Sequence, residues 1–480
     1  MLLRRARTPP LLLLLALAAP TRAETPMAER LRQLEDAVRA QQQEIERLRA
    51  ELERQRAARP QAEAAPQPPE AASAAAPAKP PFVPPDWLSK IAFFGDLRYR
   101  HEGFYHQPHR AEQDVTARNR ERIRGRLGLR FTYSDELAAT FRAATGDPND
   151  PISTNENLTG IFTRKHVNLD WAYLTFSPGK SFALRPGAIA ITAGKFPNPI
   201  FRTDEMVFDE DLALEGLAET VQLLDRPHGP LDQVRLHVLE WTFAEIANKE
   251  DGWLFGGQVN PALHVGPVAL EAGLGQYWWL NPDLIAQALS RNTTAFTASG
   301  APVANSAFNS SLTNTNRLVV ANIQPPPTTP GKTPAAFTAI TGYKSGFNQT
   351  NLTLAATVPD VVRARPLRLW GDYVYNWNAA GPPSGWTAGL RLGDTRSRGD
   401  WAFTGFYEHL GQEAAISSFA WSEFGTAGTN VEGPGVGIDY QLLGPFTLSA
   451  RGFFTNFIER PKGVTNPTLT RFQLDALVRF

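Results

Sequence analysis

From Trp87 to the C-terminus, apolar and polar positions alternate with a period of two, in segments of about 10 to 14 residues separated by turn residues. Leu367, Leu369, Tyr373, Tyr375 and Trp377 fall on one face, with Arg368, Asp372 and Asn376 on the other. Leu352, Leu354, Ala356 and Val358 alternate with Asn351, Thr353, Ala355 and Thr357, while Phe472, Leu474, Ala476, Val478 and Phe480 alternate with Gln473, Asp475 and Arg479. Such segments begin near Ile91, Asn119, Leu137, His166, Ala188, Leu212, Val234, Trp253, Val268, Gln349, Leu367, Trp386, Asp400, Val436, Phe446 and Leu469. That makes about sixteen strands, an even number that returns both ends of a closed barrel to one side. A soluble sandwich or propeller also alternates, but its strands run to about 5 or 6 residues, and no propeller repeat recurs here. Strands this long, apolar on one face only, fit a tilted membrane-spanning barrel.

The connections alternate in length. Tyr133-Ser134-Asp135-Glu136 and Leu443-Gly444-Pro445 read as short periplasmic turns, and Gly146 to Arg164 and Asn281 to Ser345 as outward loops. The second loop is far longer than a compact soluble domain tolerates and is expected to cover the external mouth.

Upstream of Trp87 the pattern changes three times. Residues 1–23 carry Arg4, Arg5 and Arg7, an apolar stretch from Leu11 to Ala19 and a small residue at Ala23, the layout of a secretory signal peptide. Residues 24–59 place Leu31, Val38, Ile45 and Leu52 at heptad position a, with Leu34, Gln41, Leu48 and Gln55 at d. This predicts an α-helical coiled coil in which two glutamines weaken the seam and specify register. Residues 60–86 are rich in alanine and proline and form a semi-rigid spacer. Residues 87–480, which hold all 37 glycines, form the barrel domain. The expected fold is therefore all-β, a transmembrane antiparallel β-barrel of about sixteen strands preceded by a coiled coil.

Composition narrows the chemistry. Lys plus Arg equals Asp plus Glu at 48 each, which argues against nucleic acid as a partner. The absence of cysteine removes disulfides, thiolate metal sites and thiol nucleophiles. No apolar run approaches the ~18 residues of a membrane helix.

The most specific constellation lies on the second segment, where Arg118, Arg120, Arg122, Arg124, Arg126 and Arg130 share one parity and Leu127, Leu129 and Phe131 the other. Parity sends the arginines into the lumen. Arg98 and Arg100, opposed to Ile91, Phe93, Leu97 and Tyr99, join the same wall. Same-face neighbours about 7 Å apart repel by roughly 0.6 kcal/mol in water and about 2.4 at an effective dielectric of 20, so the row must be wet, paired with carboxylates, or both. A solvated charge run on a surface strand is the plainer alternative. Asp204, Glu205, Asp209, Glu210 and Asp211, between the fifth and sixth segments, supply candidate counter-charges. They follow Lys195-Phe196-Pro197-Asn198-Pro199-Ile200-Phe201, whose prolines break the strand and whose aromatics suit an inward fold that narrows the channel; an ordinary external acidic loop is the other reading.

Catalytic patterns are poor. The eight histidines are scattered, His106 and His109 flank Pro108 without metal-ligand spacing, and Asp147-Pro148-Asn149-Asp150-Pro151 lacks the glycine and glutamate of a calcium loop and reads as a turn. No catalytic residue, metal site or cofactor motif is predicted.

The chain resembles the putative porin family of Gram-negative outer membranes. The resemblance rests on Phe94-Gly95-Asp96-Leu97-Arg98-Tyr99-Arg100, on Asn119-Arg120-Glu121-Arg122-Ile123-Arg124-Gly125-Arg126-Leu127-Gly128, on Asp170-Trp171-Ala172-Tyr173-Leu174, on Ala193-Gly194-Lys195-Phe196-Pro197-Asn198-Pro199 and on the terminal Phe480. It implies a passive channel for small hydrophilic solutes and ions, in contact with outer-membrane lipid, with a homotrimer as the usual assembly and Phe480 as a C-terminal assembly signal. The coiled coil and linker also resemble the phosphate-selective porins, whose arginine ladders move anions, so an anion-selective channel is one alternative. A barrel enzyme and a structural tether, in which the coil binds periplasmic or cell-wall components, are the others.

Overall fold

The computed structural model describes Arg47, Ala50 and residues 86–480 apart from 111–112, 114–115, 159, 204, 225, 247–249, 290–293, 297–301, 305–312, 325–336 and 426–427. The signal peptide, the heptad segment and the spacer up to residue 85 lie outside the described residues, apart from the helical Arg47 and Ala50. Of two units, Met1–Phe82 and Val83–Phe480, the second carries the fold.

Its strands close into one antiparallel ring, and we number the sixteen that form the wall. They are β1 (Ile91–Tyr105), β2 (Arg118–Thr132), β3 (Leu137–Thr145), β4 (Val167–Phe176), β5 (Ile189–Pro197), β6 (Ala213–Gln222), β7 (Leu231–Ala244) and β8 (Gly252–Val265). The second half comprises β9 (Val268–Leu280), β10 (Asn348–Val362), β11 (Arg365–Asn376), β12 (Ser384–Gly393), β13 (Trp401–Leu410), β14 (Val431–Gln441), β15 (Phe446–Phe457) and β16 (Leu469–Arg479). Each pairs with its sequence neighbours, and β16 pairs with β1 to complete the ring, Arg100 facing Asp475 and Leu97 facing Val478. Closure gives every strand a partner on both sides, the condition for a sheet to sit in lipid.

Alternation explains the wall. Leu97, Leu127, Leu129, Leu174, Leu274, Leu352, Leu354, Leu369, Ile438 and Leu474 are exposed. Their strand neighbours Arg98, Gly128, Thr353, Gln473 and Asp475 are buried. So much outward apolar surface is stable only against hydrocarbon.

Short connections gather at one rim and long ones at the other. Gly266-Pro267 joins β8 to β9 with Gly266 at φ 57, a left-handed conformation that glycine adopts without strain. After β2, the Ser134 hydroxyl accepts the backbone N–H groups of Glu136 and Leu137, both at 3.2 Å, and tightens the turn. At the opposite rim, residues 146–166, 198–212, 281–347 and 411–430 are long. Within the third of these, α1 (Asp283–Ala288) buries Leu284, Ile285, Ala286 and Ala288.

One expectation needs correction: the interior is not polar throughout. Phe208 and Met206 from the fifth-to-sixth connection pack with Trp241, Leu254, Tyr277 and Trp279 on the inner faces of β7 to β9, while Ile416 and Phe424 from residues 411–430 extend the cluster to Val374, Leu410 and Phe453. Towards the long-loop rim the inner faces of β7 to β9 carry Trp241, Leu254, Tyr277 and Trp279, which receive folded loops instead of water, while His237, Gln258 and Asn260 keep other inner positions polar.

Candidate functional site

The arginine row is built by the register of the first hairpin. Across β1 and β2, Arg98 faces Arg124 and Arg100 faces Arg122, and these like-charged pairs are flanked by Asp96 facing Arg126 and Glu102 facing Arg120. Like charges directly opposite are unfavourable, so the carboxylates on either side decide whether the row can exist. Asp96 accepts Nε of Arg124 at 3.0 Å and Nε of Arg126 at 2.7 Å. Glu102, fully buried, pairs with Arg120 and Arg122 and accepts Nε of Arg471 at 2.7 Å and the Gln473 amide at 2.9 Å. Asp475 takes Arg100 through two bonds, 2.6 and 2.8 Å. Arg98 donates to Asn155 Oδ1 at 2.6 Å and lies 3.9 Å from Asp475.

The acidic connection reaches this wall with two of its five carboxylates. Glu210 lies 3.4 Å from Arg124, and Asp211 lies 3.1 Å from Arg126 while accepting the backbone N–H and hydroxyl of Thr154. Asp209 turns instead to residues 411–430, where it accepts the Ser422 N–H at 3.0 Å and donates its own N–H to the Phe419 carbonyl at 2.8 Å. Glu205 accepts the Glu210 N–H at 2.9 Å. Asp204 lies outside the described residues. Arg118 and Arg130 sit exposed at the two ends of β2, Arg118 over the Phe104 ring at 5.6 Å.

The acidic connection supplies part of the counter-charge, through Glu210 and Asp211. The main partners are Asp96, Glu102 and Asp475 in the wall itself, which share inward parity with the arginines, and Glu423 from residues 411–430. Glu423 pairs with Arg100, and Arg471 donates to the Ser422 carbonyl at 3.0 Å and the Glu423 carbonyl at 2.6 Å. Burial alone would raise the Glu423 carboxyl, but Arg100, Arg98 and Arg471 hold it well below the usual carboxylate range. Glu205 and Asp209 go the other way, pushed well up by burial and by the neighbouring Glu210 and Asp211 respectively. Two inward loops are thus clamped on the arginine wall and on each other.

They divide the interior. Towards the long-loop rim lies a cavity of about 340 Å³ lined by Asp147, Asp150, Asp170, Asp211, Glu215 and Lys195. Towards the short-turn rim lies one of about 430 Å³ lined by seven arginines and five carboxylates, among them Arg124, Arg126, Glu210 and Glu423. Asp147 accepts the Asn149 N–H at 2.9 Å, a local turn, and His109 Nδ1 lies 2.9 Å from the Gln107 carbonyl oxygen.

A closed, lipid-faced barrel whose interior holds charged cavities and inward loops defines a channel of the outer membrane. The chain belongs to the Putative porin family, whose sequence pattern matches residues 106–480, and it is an outer-membrane diffusion channel. Among solved structures, it is similar to OprB of Pseudomonas putida at high pH, with 11% identity, a TM-score of 0.48 and coverage of 82% of this chain and 96% of that one. It is also similar to OmpF of Salmonella typhi in complex with daunomycin, with 8% identity, a TM-score of 0.44 and coverage of 81% and 97%. A loop-deleted OmpT of Vibrio cholerae gives 10% identity, a TM-score of 0.41 and coverage of 81% and 99%. No curated protein matches the chain.

Proposed function

We propose that small hydrophilic solutes and ions cross this barrel passively by passing from the outer to the inner cavity beside Asp211 and Glu210, with no covalent step. The observation that carries the reading is that these consecutive residues line the two cavities and pair with Arg126 and Arg124. Opposed charges at a narrow point orient polar solutes and raise the local concentration of ions. Arg98, Arg100 and Arg122 hold the loops that set the width of the passage, Arg120 is tied to Glu102 in the wall, and these paired charges speak against a dedicated anion ladder.

The signal peptide delivers the chain across the inner membrane, the short-turn rim and both barrel ends face the periplasm, and the coiled coil lies there on the spacer. Its heptads favour self-association, resemblance to diffusion porins makes a homotrimer of whole barrels the expected assembly, and a monomer on sedimentation in mild detergent would contradict it. Single-channel recording of the full-length protein in planar bilayers tests the channel reading. Discrete conductance steps are expected, and a correctly folded but silent barrel would contradict it.

A further inference from the structure

The inner cavity has a further basic stretch of wall on β11 to β15, whose row runs on through Gln473 on β16 to Glu102 on β1. Arg368 on β11 and Arg391 on β12 are directly opposite in register, a like-charged cross-strand pair. The same row continues through Thr404 on β13 and Gly437 on β14 to Arg451 on β15. Compensation here is incomplete. Arg391 has Asp439 at 2.7 Å and donates to the Thr404 hydroxyl at 2.9 Å. Arg368 and Arg451 form no ion pair or hydrogen bond among the described residues, although both line the cavity.

On β1 and β2 each like-charged pair has a carboxylate bonded in the same wall, whereas among the described residues of this stretch only Arg391 forms an ion pair, with Asp439, and Arg451 lies within electrostatic reach of Asp439 and Glu423 without a bond to either. An isolated sheet disfavours like charges side by side, so such an arrangement is stable when water or an anion supplies the missing charge. The shape suits an anion as well. Arg391 and Arg451 are three strand spacings apart, about 14 Å, and the intervening Thr404 and Gly437 are small. Gly437 carries no side chain, and a β-carbon there would lie in ordinary contact with the Arg451 stem at 3.5 Å, so the floor between the arginines is low. Guanidinium groups present paired donors to oxygen anions.

We infer that Arg368, Arg391 and Arg451 form an oxyanion subsite on the inner side of the constriction, taking phosphate-sized or carboxylate-bearing solutes, and that Arg368 and Arg451, more than the paired row on β2, set the anion share of the current. This rests on the channel reading above and deepens it.

Planar-bilayer recording of the full-length protein in a potassium chloride gradient tests it. In Arg368→Gln with Arg451→Gln, the chloride-to-potassium permeability ratio is expected to fall about threefold, as loss of two weakly screened charges implies. Millimolar inorganic phosphate is expected to reduce the wild-type current and to lose that effect in the variant, whereas Arg363→Gln, on the exposed turn before β11, keeps the wild-type response. A conducting variant with unchanged ratio and phosphate sensitivity overturns the subsite and leaves the channel intact. If the double variant fails to fold, the wild-type phosphate titration decides, and insensitivity there overturns the subsite. A folded wild type without conductance overturns both.

Discussion

Arg100 on the first strand and Asp475 on the last lie directly opposite each other across the seam that closes the barrel, joined by two guanidinium bonds of 2.6 and 2.8 Å. Arg100 is 0% exposed and is also the partner of Glu423, so one side chain ties the seam to an inward loop. The charge that permits the arginine row therefore also fixes where the ring closes.

Removing one partner of that pair leaves the other buried and uncompensated, a change that costs about 3–5 kcal/mol. Arg100→Gln or Asp475→Asn should lower the temperature at which the barrel loses its folded gel mobility, while Lys180→Gln, at an exposed turn, should not. An unchanged temperature would mean that backbone pairing alone holds the seam.

Glu423 anchors residues 411–430 to Arg100, and Arg471 holds the adjoining carbonyls. With Glu423→Gln the charge attraction is lost and the loop samples positions away from the wall. Single-channel traces should show a larger unit conductance and more frequent sub-state transitions. Traces indistinguishable from wild type would place this loop outside the ion path.

Burial pushes the Asp150 carboxyl up to about 6 from an unfolded value of 3.8. It is charged at pH 7.5 and neutral at pH 5, so the outer cavity loses a negative charge on acidification. The cation share of the current should fall as pH drops through about 6, and Asp150→Asn should remove the step. The folded chain binds this proton more tightly than the unfolded one, so the group's favourable contribution to stability, complete below pH 3.8, is lost as pH rises through about 6. A pH profile unaltered by Asp150→Asn would assign the titration elsewhere.

The strands were legible because alternation against lipid is strict and turn chemistry marks their ends. Leu137, Val268, Phe446 and Leu469 begin strands as the pattern predicts. The pattern failed where side chains stopped alternating. β14 starts at Val431, ahead of the expected Val436, because Gly433, Pro434 and Gly435 carry no apolar signal yet are held extended by pairing with β13. Asp96 and Glu102 were readable in principle, since they share parity with Arg98 and Arg100. Glu423 was not: its approach to Arg100 spans 323 residues and depends on how a loop folds within the barrel. The apolar interior was hidden for the same reason, because an inward Trp279 or Leu254 looks outward until its partner Phe208 or Met206 is known to fold in.

Phe480 is exposed and extends β16 by one residue, donating its N–H to the Gly95 carbonyl at 3.1 Å and accepting the Gly95 N–H at 2.9 Å. Its deletion removes both bonds at the seam, together with the terminal aromatic proposed as the assembly signal. Folded protein in the outer membrane should fall while total synthesis is unchanged. An equal folded yield would reduce Phe480 to lipid-facing packing.

The passage between Glu210, Asp211 and the arginine wall is tested most directly by the reversal potential of Glu210→Gln with Asp211→Asn in a salt gradient. Arg124 and Arg126 keep Asp96 as partner in this variant, so the barrel should fold and retain its heat-modifiable mobility. Discrete conductance is expected, with the reversal potential moved toward that of an anion-selective channel. A folded, conducting variant with the wild-type reversal potential would contradict it, because the current would then cross the barrel somewhere other than beside this pair.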